Sequence, residues 1–406
     1  MLNKNQEREL AYVVTVDAIE PIPGKDRVEC ARVGGWTCMV PKGAMNVGDP
    51  AIYIEIDSLV PLDKEVFSFC GRYNGKIKTQ KFRNSDGSQF WSQGLLMAAS
   101  DFGWTINGSA IVDDKGVEHN AEDESKFLTK QLGITYYEAE DNKRKAKSED
   151  KYAKMAKRMG KKCKKFPYRQ LLKYNWGKKL LFLFFGKKRD KKNGWPGHIA
   201  SKTDVERIQN MIWILKDKQP FVASEKVDGS SFSVMAEKVK FGKIKYYVCS
   251  RNVVFEDEDQ KCYYDDNIYW EAYKKYNMKE KITQILNDYH LQNVAIQSEV
   301  FGPAVQRRDY SLSEREIRVF HIVSNNEKFP MDKVVEICEK YDLPHVPIIN
   351  DNYILPDTIE ELQAFVESEG SKIDGKEKEG IVFYDKETGQ QYFKFVSPEF
   401  LLKYHS

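Results

Sequence analysis

The sequence is poor in the residues from which disulfide scaffolds and metal centres are built. Its seven cysteines (30, 38, 70, 163, 249, 262 and 338) are scattered, odd in number and never spaced C-x-x-C. That disfavours both a disulfide framework and a zinc site and leaves reduced, mostly buried thiols. The six histidines are equally dispersed, with none three or four residues from another, so histidine-based metal chemistry has no support. Long hydrophobic runs are missing too. The longest, LLFLFF at 180–185, is far short of the roughly 18 residues of a membrane helix. The first residues, MLNKNQEREL, are polar and lack the apolar core of a secretory signal. These absences predict an intracellular, cytoplasmic protein with no membrane partner. No G-x-G-x-x-G or G-K-[ST] loop is present either, so a nucleotide, if used, is held by another route.

What is there is a chain of 406 residues, 41% apolar and 13% aromatic, long enough for two domains and a connector. The net charge of +3 hides an asymmetry. Residues 151–192 carry 17 lysines and arginines against the single acid Asp190, with Phe166, Tyr168, Tyr174 and Trp176 interleaved. Such a block attracts a polyphosphate partner through counterion release and base stacking, or else is a solvated basic linker.

Residues 11–60 alternate apolar and polar, as in VECARV and AIYIEI, with turns marked by Gly, Pro and Asp. That is the pattern of a small β-barrel, and KIKTQKF and FWSQGLLMA extend it to 98. Residues 1–110 are therefore assigned to a five-stranded OB-type barrel and 111–200 to a charged, then basic, connector. From 201 to 406 helix and strand patterns mix. Thr203 and Glu206 make a capping box, and Ile208, Met211, Ile212 and Leu215 follow at helical spacing, which predicts a helix there. Strand-like runs FVASEK, SSFSVMA, KYYVCS, NVAIQSEVF, IRVFHIV, GIVFY and QYFKFV follow, separated in places by amphipathic helical segments. The second domain is thus expected to be α+β with largely antiparallel sheets.

The tetrapeptide K-x-D-G occurs twice. Lys372-Ile-Asp374-Gly375 lies in the polar, glycine-rich stretch SEGSKIDGKEKEG, a loop by local signals. Lys226-Val-Asp228-Gly229 follows an apolar strand and leads into another, which puts its lysine on a rigid turn. A free lysine, with a pKa near 10.4, is almost wholly protonated at neutral pH. A nucleophilic lysine needs that value lowered by burial or by neighbouring positive charge. Attack on a phosphate further needs cations around it. Glu299 and Glu379 attract attention for that reason, because a carboxylate within an apolar strand is costly unless it is paired or binds a cation.

The ordered segments E-K-V-D-G-S (225–230), S-R-N (250–252), S-E-V-F-G (298–302), R-V-F-H-I-V (318–323), E-G-I-V-F (379–383) and F-K-F-V-S (393–397) resemble the motif series of covalent nucleotidyltransferases. With P-I-P-G-K-D-R-V-E, V-G-D-P-A-I-Y-I-E-I-D-S-L-V-P and K-T-D-V-E-R-I-Q-N, the chain resembles RNA ligase family 5, manganese-assisted enzymes with an N-terminal OB domain and a C-terminal transferase domain. The likeness covers about 300 residues at both ends of the chain and only weakly its middle.

The resemblance implies an ATP-dependent RNA ligase with Mg2+ or Mn2+ as cofactor and RNA, as a nicked duplex or a 5′-phosphate end, as partner; a monomer is expected. It implies Lys226 as the site of a lysyl-AMP intermediate and Glu225 as a contact to the adenine edge. Asp228, Glu299 and Glu379 would serve the metal, Glu299 binding ribose or metal. Arg251 would contact nucleotide or RNA phosphate, Phe320 would stack on adenine, and Lys394 would grip the α-phosphate. Arg207 and Lys202 would meet the departing pyrophosphate. Phe320 also reads as plain strand core, Arg251 and Arg207 as salt-bridge partners, and Lys202 as surface. One departure is visible: relatives often carry K-x-K in the last motif, whereas Val396 stands two places after Lys394 here, so phosphate contact rests on Lys394 alone or on Lys403 from elsewhere.

Two rival functions share features with this one. DNA ligases and capping guanylyltransferases use the same lysine chemistry but place an OB domain after the transferase domain, and only 12 residues follow Lys394; ATP against GTP labelling separates capping from ligation. A non-catalytic OB-fold RNA-binding protein would not need Lys226, Glu299, Glu379 and Lys394 together.

Overall fold

The computed structural model describes residues 1–5, 7–137, 194–202, 204–387 and 392–405, together with 165, 168–174, 177–179 and 181. Most of the basic block 151–192, and Thr203 of the expected capping box, lie outside the described residues.

The N-terminal part is the expected β-barrel. Strands β1 (Ala11–Thr15), β5 (Pro50–Ile54) and β9 (Leu95–Ala98) form one antiparallel sheet; β2 (Ala18–Pro21), β3 (Val28–Val33) and β4 (Trp36–Pro41) form another. Alternation explains the closure. Val33, Trp36, Cys38 and Val40 turn inward from the second sheet to meet Tyr12, Ala51, Tyr53 and Leu96 of the first. β6 (Ser58–Leu59) and the hairpin β7 (Thr79–Arg83) and β8 (Gln89–Gln93) complete the region. The described structure continues from there. A small sheet of β10 (Thr105–Asn107), β11 (Ala110–Val112) and β12 (Glu118–Asn120) follows, and β13 (Thr135–Tyr136) pairs with β6. Trp104, Ile111, Leu128, Leu132 and Ile134 share a core with Val13, Ile52 and Phe67, so buried apolar contact carries the domain on to Tyr137.

The C-terminal part holds two sheets. The first runs β14 (Glu206–Arg207), β24 (Tyr392–Val396), β23 (Gly380–Asp385), β15 (Pro220–Lys226), β22 (Ile348–Ile354). The second runs β18 (Val254–Phe255), β17 (Ile244–Ser250), β16 (Ser230–Lys238), β19 (Asn293–Phe301), β20 (Glu316–Ser324), β21 (Glu327–Lys328). All pairings are antiparallel except β14 with β24. Helices α1 (Ile268–Lys275), α2 (Met278–Asp288) and α3 (Met331–Lys340) bury Ile268, Ile282, Ile285, Val334 and Ile337 in the main core. α4 (Ile359–Glu367) opens with a capping box from Thr358 and Glu361 and covers the first sheet through Leu362 and Val366. α5 (Pro398–Tyr404) ends the described chain. Among the described residues no helix is long and apolar enough to cross a membrane.

The helix expected from Thr203 onward does not form. Arg207 is drawn into strand β14 opposite Lys394, and two short 3-10 turns, Ile208–Asn210 and Ile212–Lys216, replace the α-helix. The Gln209 carbonyl accepts the Gly35 N–H at 2.8 Å instead of an intrahelical one. The helical spacing of Ile208 and Leu215 therefore reflects burial against the first sheet rather than helix.

That contact belongs to a broad seam between the domains. Asn210 Oδ1 accepts from Trp36 Nε1 at 2.7 Å and Tyr12 Oη at 3.0 Å, Arg8 pairs with Asp204 at 3.0 Å, and Lys76 Nζ donates to the His405 carbonyl at 2.7 Å. Val396 packs with Ile56 and Leu401 across the same seam, which gives the residue in place of a second lysine an apolar structural role.

Candidate active site

The chain crosses from the first sheet to the second at Lys226-Val-Asp228-Gly229, between β15 and β16. A Cβ on Gly229 would stand 2.4 Å from the Val300 carbonyl oxygen, so only glycine lets the turn approach β19 this closely. A cavity of about 370 Å³ opens at the crossing. Six of the sequence-derived candidates line it: Glu225, Lys226, Arg251, Glu299, Phe320 and Lys394.

The carboxylates gather on one side. Lys226 Nζ donates to Glu379 Oε2 at 2.6 Å. Burial drives the Glu299 carboxyl up to about 8, with Glu379 and Asp228 adding to the shift and Lys226 opposing it. Asp228 Oδ2 is buried without a hydrogen-bond partner, while its Oδ1 faces His405 Nε2 at 3.5 Å. Burial works to lower the Lys226 pKa, but Glu379, Glu299 and Asp228 outweigh it and hold the ammonium above its ordinary value. The lowered lysine expected from the sequence is therefore not Lys226 in this state.

The other side of the cavity carries the cations. Burial, with Arg8, Arg207 and Lys226 near, pushes the Lys394 ammonium well below the usual lysine range, and Asp204 at 4.0 Å opposes the shift. Arg207 is buried, 3.8 Å from Asp57, and its Nε and Nη1 have no hydrogen-bond partner. Arg251 Nη2 donates to Asp204 Oδ2 at 3.1 Å, and Lys202 Nζ donates to Asn252 Oδ1 at 3.1 Å on the exposed rim. Basic groups whose carboxylate partners stand as far off as 3.8–4.0 Å, with two Arg207 nitrogens unpartnered, can accept an anion.

Glu225 is held differently. Its carboxylate accepts from Ser371 Oγ and from the Lys372 N–H at 2.7 Å. Lys403 lies outside the cavity, paired with Glu377 at 2.7 Å on the surface.

Several lining residues were not singled out from the sequence. Asp57, Lys76, Tyr136 and Tyr137 come from the N-terminal domain, while Asp204, Arg307 and His405 come from the C-terminal one. Lys76 lies 4.3 Å from the centre of the Tyr137 ring. Asp204 had a usable signal, since it stands within a quoted motif.

Among the described residues no group of three His, Cys, Asp or Glu side chains stands close enough together to hold a metal ion. The fit for a divalent cation is therefore one of charge: the buried Asp228 and Glu379 and the partly buried Glu299 act on one lysine, and one Asp228 oxygen is unpartnered.

Residues 219–404 match the family described as RNA ligase, and residues 10–98 match a family described as an OB-fold domain. No curated protein matches the chain. Among solved structures, a mutant Naegleria gruberi RNA ligase with ATP and Mn is 24% identical, covers 98% of both chains and has a TM-score of 0.69. A second mutant of that ligase, with AMP and Mn, is 24% identical over 98% of this chain and 99% of the other, with a TM-score of 0.70. The same ligase with PPi is 23% identical over 98% and 99%, also at 0.70. At these identities the likeness establishes a shared fold along nearly the whole chain.

Proposed function

We propose that this chain, an OB-fold domain joined to an RNA ligase family domain, is an ATP-dependent RNA ligase that works through a lysyl-AMP intermediate on Lys226. The observation that carries this reading is the polarity of the cavity. Lys226 stands between a carboxylate side and a cation side, where a nucleotide triphosphate and its counter-cation have complementary places. The Naegleria ligase structures with ATP and Mn, with AMP and Mn and with PPi support the same nucleotide and cofactor here.

The chemistry follows from these groups. When bound, a divalent cation would supply positive charge against Asp228, Glu299, Glu379 and the phosphates. Burial favours the neutral Lys226 amine, and Glu379 Oε2, 2.6 Å from Nζ, is placed to accept its proton. Lys226 Nζ then bonds to the α-phosphorus, whose oxygens Lys394 holds, as the bond to the β-phosphate oxygen breaks, and pyrophosphate leaves toward Arg207 and Lys202. AMP passes next to an RNA 5′-phosphate, and a 3′-hydroxyl displaces it to seal the strand. Phe320 and the backbone around Glu225 flank the adenine, because the Glu225 carboxylate is already committed to Ser371 and Lys372. Arg251 faces the phosphate of nucleotide or RNA.

Incubation with α-labelled ATP and Mn2+ is expected to label the chain at 47.2 kDa, and Lys226→Ala is expected to remain unlabelled. Label on Lys226→Ala, or transfer of the γ-phosphate, would refute the assignment. A sealing assay across nicked duplexes with RNA or DNA on each side of the break tests the RNA preference, and equal sealing of all-DNA nicks would count against it.

A further inference from the structure

The second K-x-D-G segment is a loop on the surface of the fold, yet its contacts lead back to the first. Ser371 and Lys372 hold the Glu225 carboxylate, immediately before Lys226. On the other side of the nucleophile, the loop joining β19 to β20 takes hold of the same turn. Tyr310 Oη accepts the Asp228 N–H at 2.6 Å, and Gln306 Nε2 donates to the Gly229 carbonyl at 2.9 Å.

The two loops are fastened to each other. Arg308 Nη2 meets Asp374 Oδ1 at 2.6 Å, with side-chain exposures of only 2% and 5%. The Arg308 guanidinium carbon lies 3.7 Å from the centre of the Tyr310 ring, and Lys376 Nζ donates to Ser311 Oγ at 2.7 Å. A continuous line of contact therefore runs from Asp374 through Arg308 and Tyr310 to the backbone of Asp228. Arg308, Tyr310 and Asp374 do not line the cavity, so they do not touch a ligand there. The β19–β20 loop is also held in an unfavourable backbone conformation. Ala304, Gln306, Tyr310 and Ser311 all have left-handed φ, between 53° and 60°, which persists only where the surroundings impose it.

We propose that these two loops form a cuff that positions the Lys226 turn, with Arg308, Tyr310 and Asp374 as positioning residues for adenylyl transfer. The proposal rests on the reading of Lys226 as the nucleophile. Its physical basis is the tolerance of the attack. Nitrogen and phosphorus have to be brought to about 3–3.5 Å in line, and a misplacement of about 1 Å costs on the order of a hundredfold in rate. A cuff that fixes the backbone on both sides of Lys226 supplies that constraint without occupying ligand space. A buried ion pair that served the fold alone would have no reason to end on the Asp228 amide.

Tyr310→Phe tests this, because it keeps the ring against Phe301 and Arg308 and removes the hydroxyl that accepts the Asp228 N–H and also meets the Arg308 side chain, both links of the cuff. Single-turnover labelling of Lys226 by α-labelled ATP is expected to slow about tenfold or more, with the ATP concentration for half-maximal rate unchanged. Sealing of RNA that already carries 5′-AMP does not use Lys226 as nucleophile and is expected to stay within about twofold. Arg308→Lys, which retains the ion pair with Asp374, is expected to label faster than Arg308→Gln at matched Tm. Wild-type labelling by Tyr310→Phe, or equal loss of both steps, would overturn the cuff while leaving the ligase reading intact. A wild-type chain that takes no label would overturn both.

Discussion

The two K-x-D-G segments share four residue positions and almost nothing else. Lys226 is largely enclosed and surrounded by carboxylates, whereas Lys372 is half exposed and pairs with Glu369 three residues earlier. Such a surface pair contributes little. The two aspartates differ in the opposite sense. Asp374 is ion-paired with the buried Arg308 at 2.6 Å, whereas Asp228 faces the His405 imidazole at 3.5 Å; each keeps one buried oxygen without a hydrogen-bond partner. A buried carboxylate without a tight ion pair is costly, so the loosely held Asp228 fits the proposed functional turn and the tightly paired Asp374 a structural loop.

Three measurements would break or sharpen that contrast. The largest expected effect is on labelling by α-labelled ATP. Lys226→Ala is expected to lose it by more than about a thousandfold, while Lys372→Ala keeps it within about twofold. Loss of label in Lys372→Ala would erase the distinction.

Next in size is stability. Asp374→Ala strands the buried Arg308 charge and is expected to destabilise by about 3–5 kcal/mol in urea unfolding. Asp228→Ala removes a charge that repels Glu299 and Glu379, so it is expected to be neutral or slightly stabilising, within about 1 kcal/mol. Equal destabilisation by the two variants would contradict the assignment of roles.

The smallest effect concerns Glu225, which ties the two segments together. Burial raises its pKa despite the hydrogen bonds from Ser371 and Lys372. The folded state therefore retains a proton above the pH at which the unfolded chain ionises, and stability falls as pH rises through that window toward the folded pKa. Glu225→Gln removes the penalty. Its Tm relative to wild type is expected to improve from pH 4 to pH 7 by about 1–2 °C. A constant difference across that range would show that ionisation of Glu225 is not involved.

Much of this was legible in the sequence because it lies along strands. FVASEK, NVAIQSEVF and QYFKFV became β15, β19 and β24, and the charged residues Glu225, Lys226, Glu299 and Lys394, set against an apolar background, line the cavity. What was not legible depends on contacts between distant segments. Lys76, Tyr137 and His405 acquire meaning only once the barrel docks on the second domain. The same docking explains the missing helix after 203, since Gly35 takes the Gln209 carbonyl. The small strands that pack beside the barrel were not legible because they are only two or three residues long, too short to carry a period. The protonated state of Lys226 was hidden as well, because its neighbours are acids brought from β19 and from the residue before β23.

The seam between the domains has a further consequence. Lys76 and Asp57 stand on one wall of the cavity and Lys226 and Lys394 on another, so a molecule that bridges those walls acts as a non-covalent cross-link. Its binding free energy adds directly to the cohesion of the two domains, by about RT ln(1 + [L]/Kd). Occupancy and domain closure are thus one equilibrium measured at two places: tightening the seam raises affinity, and each bound ligand makes the pair of domains melt more nearly as a single body.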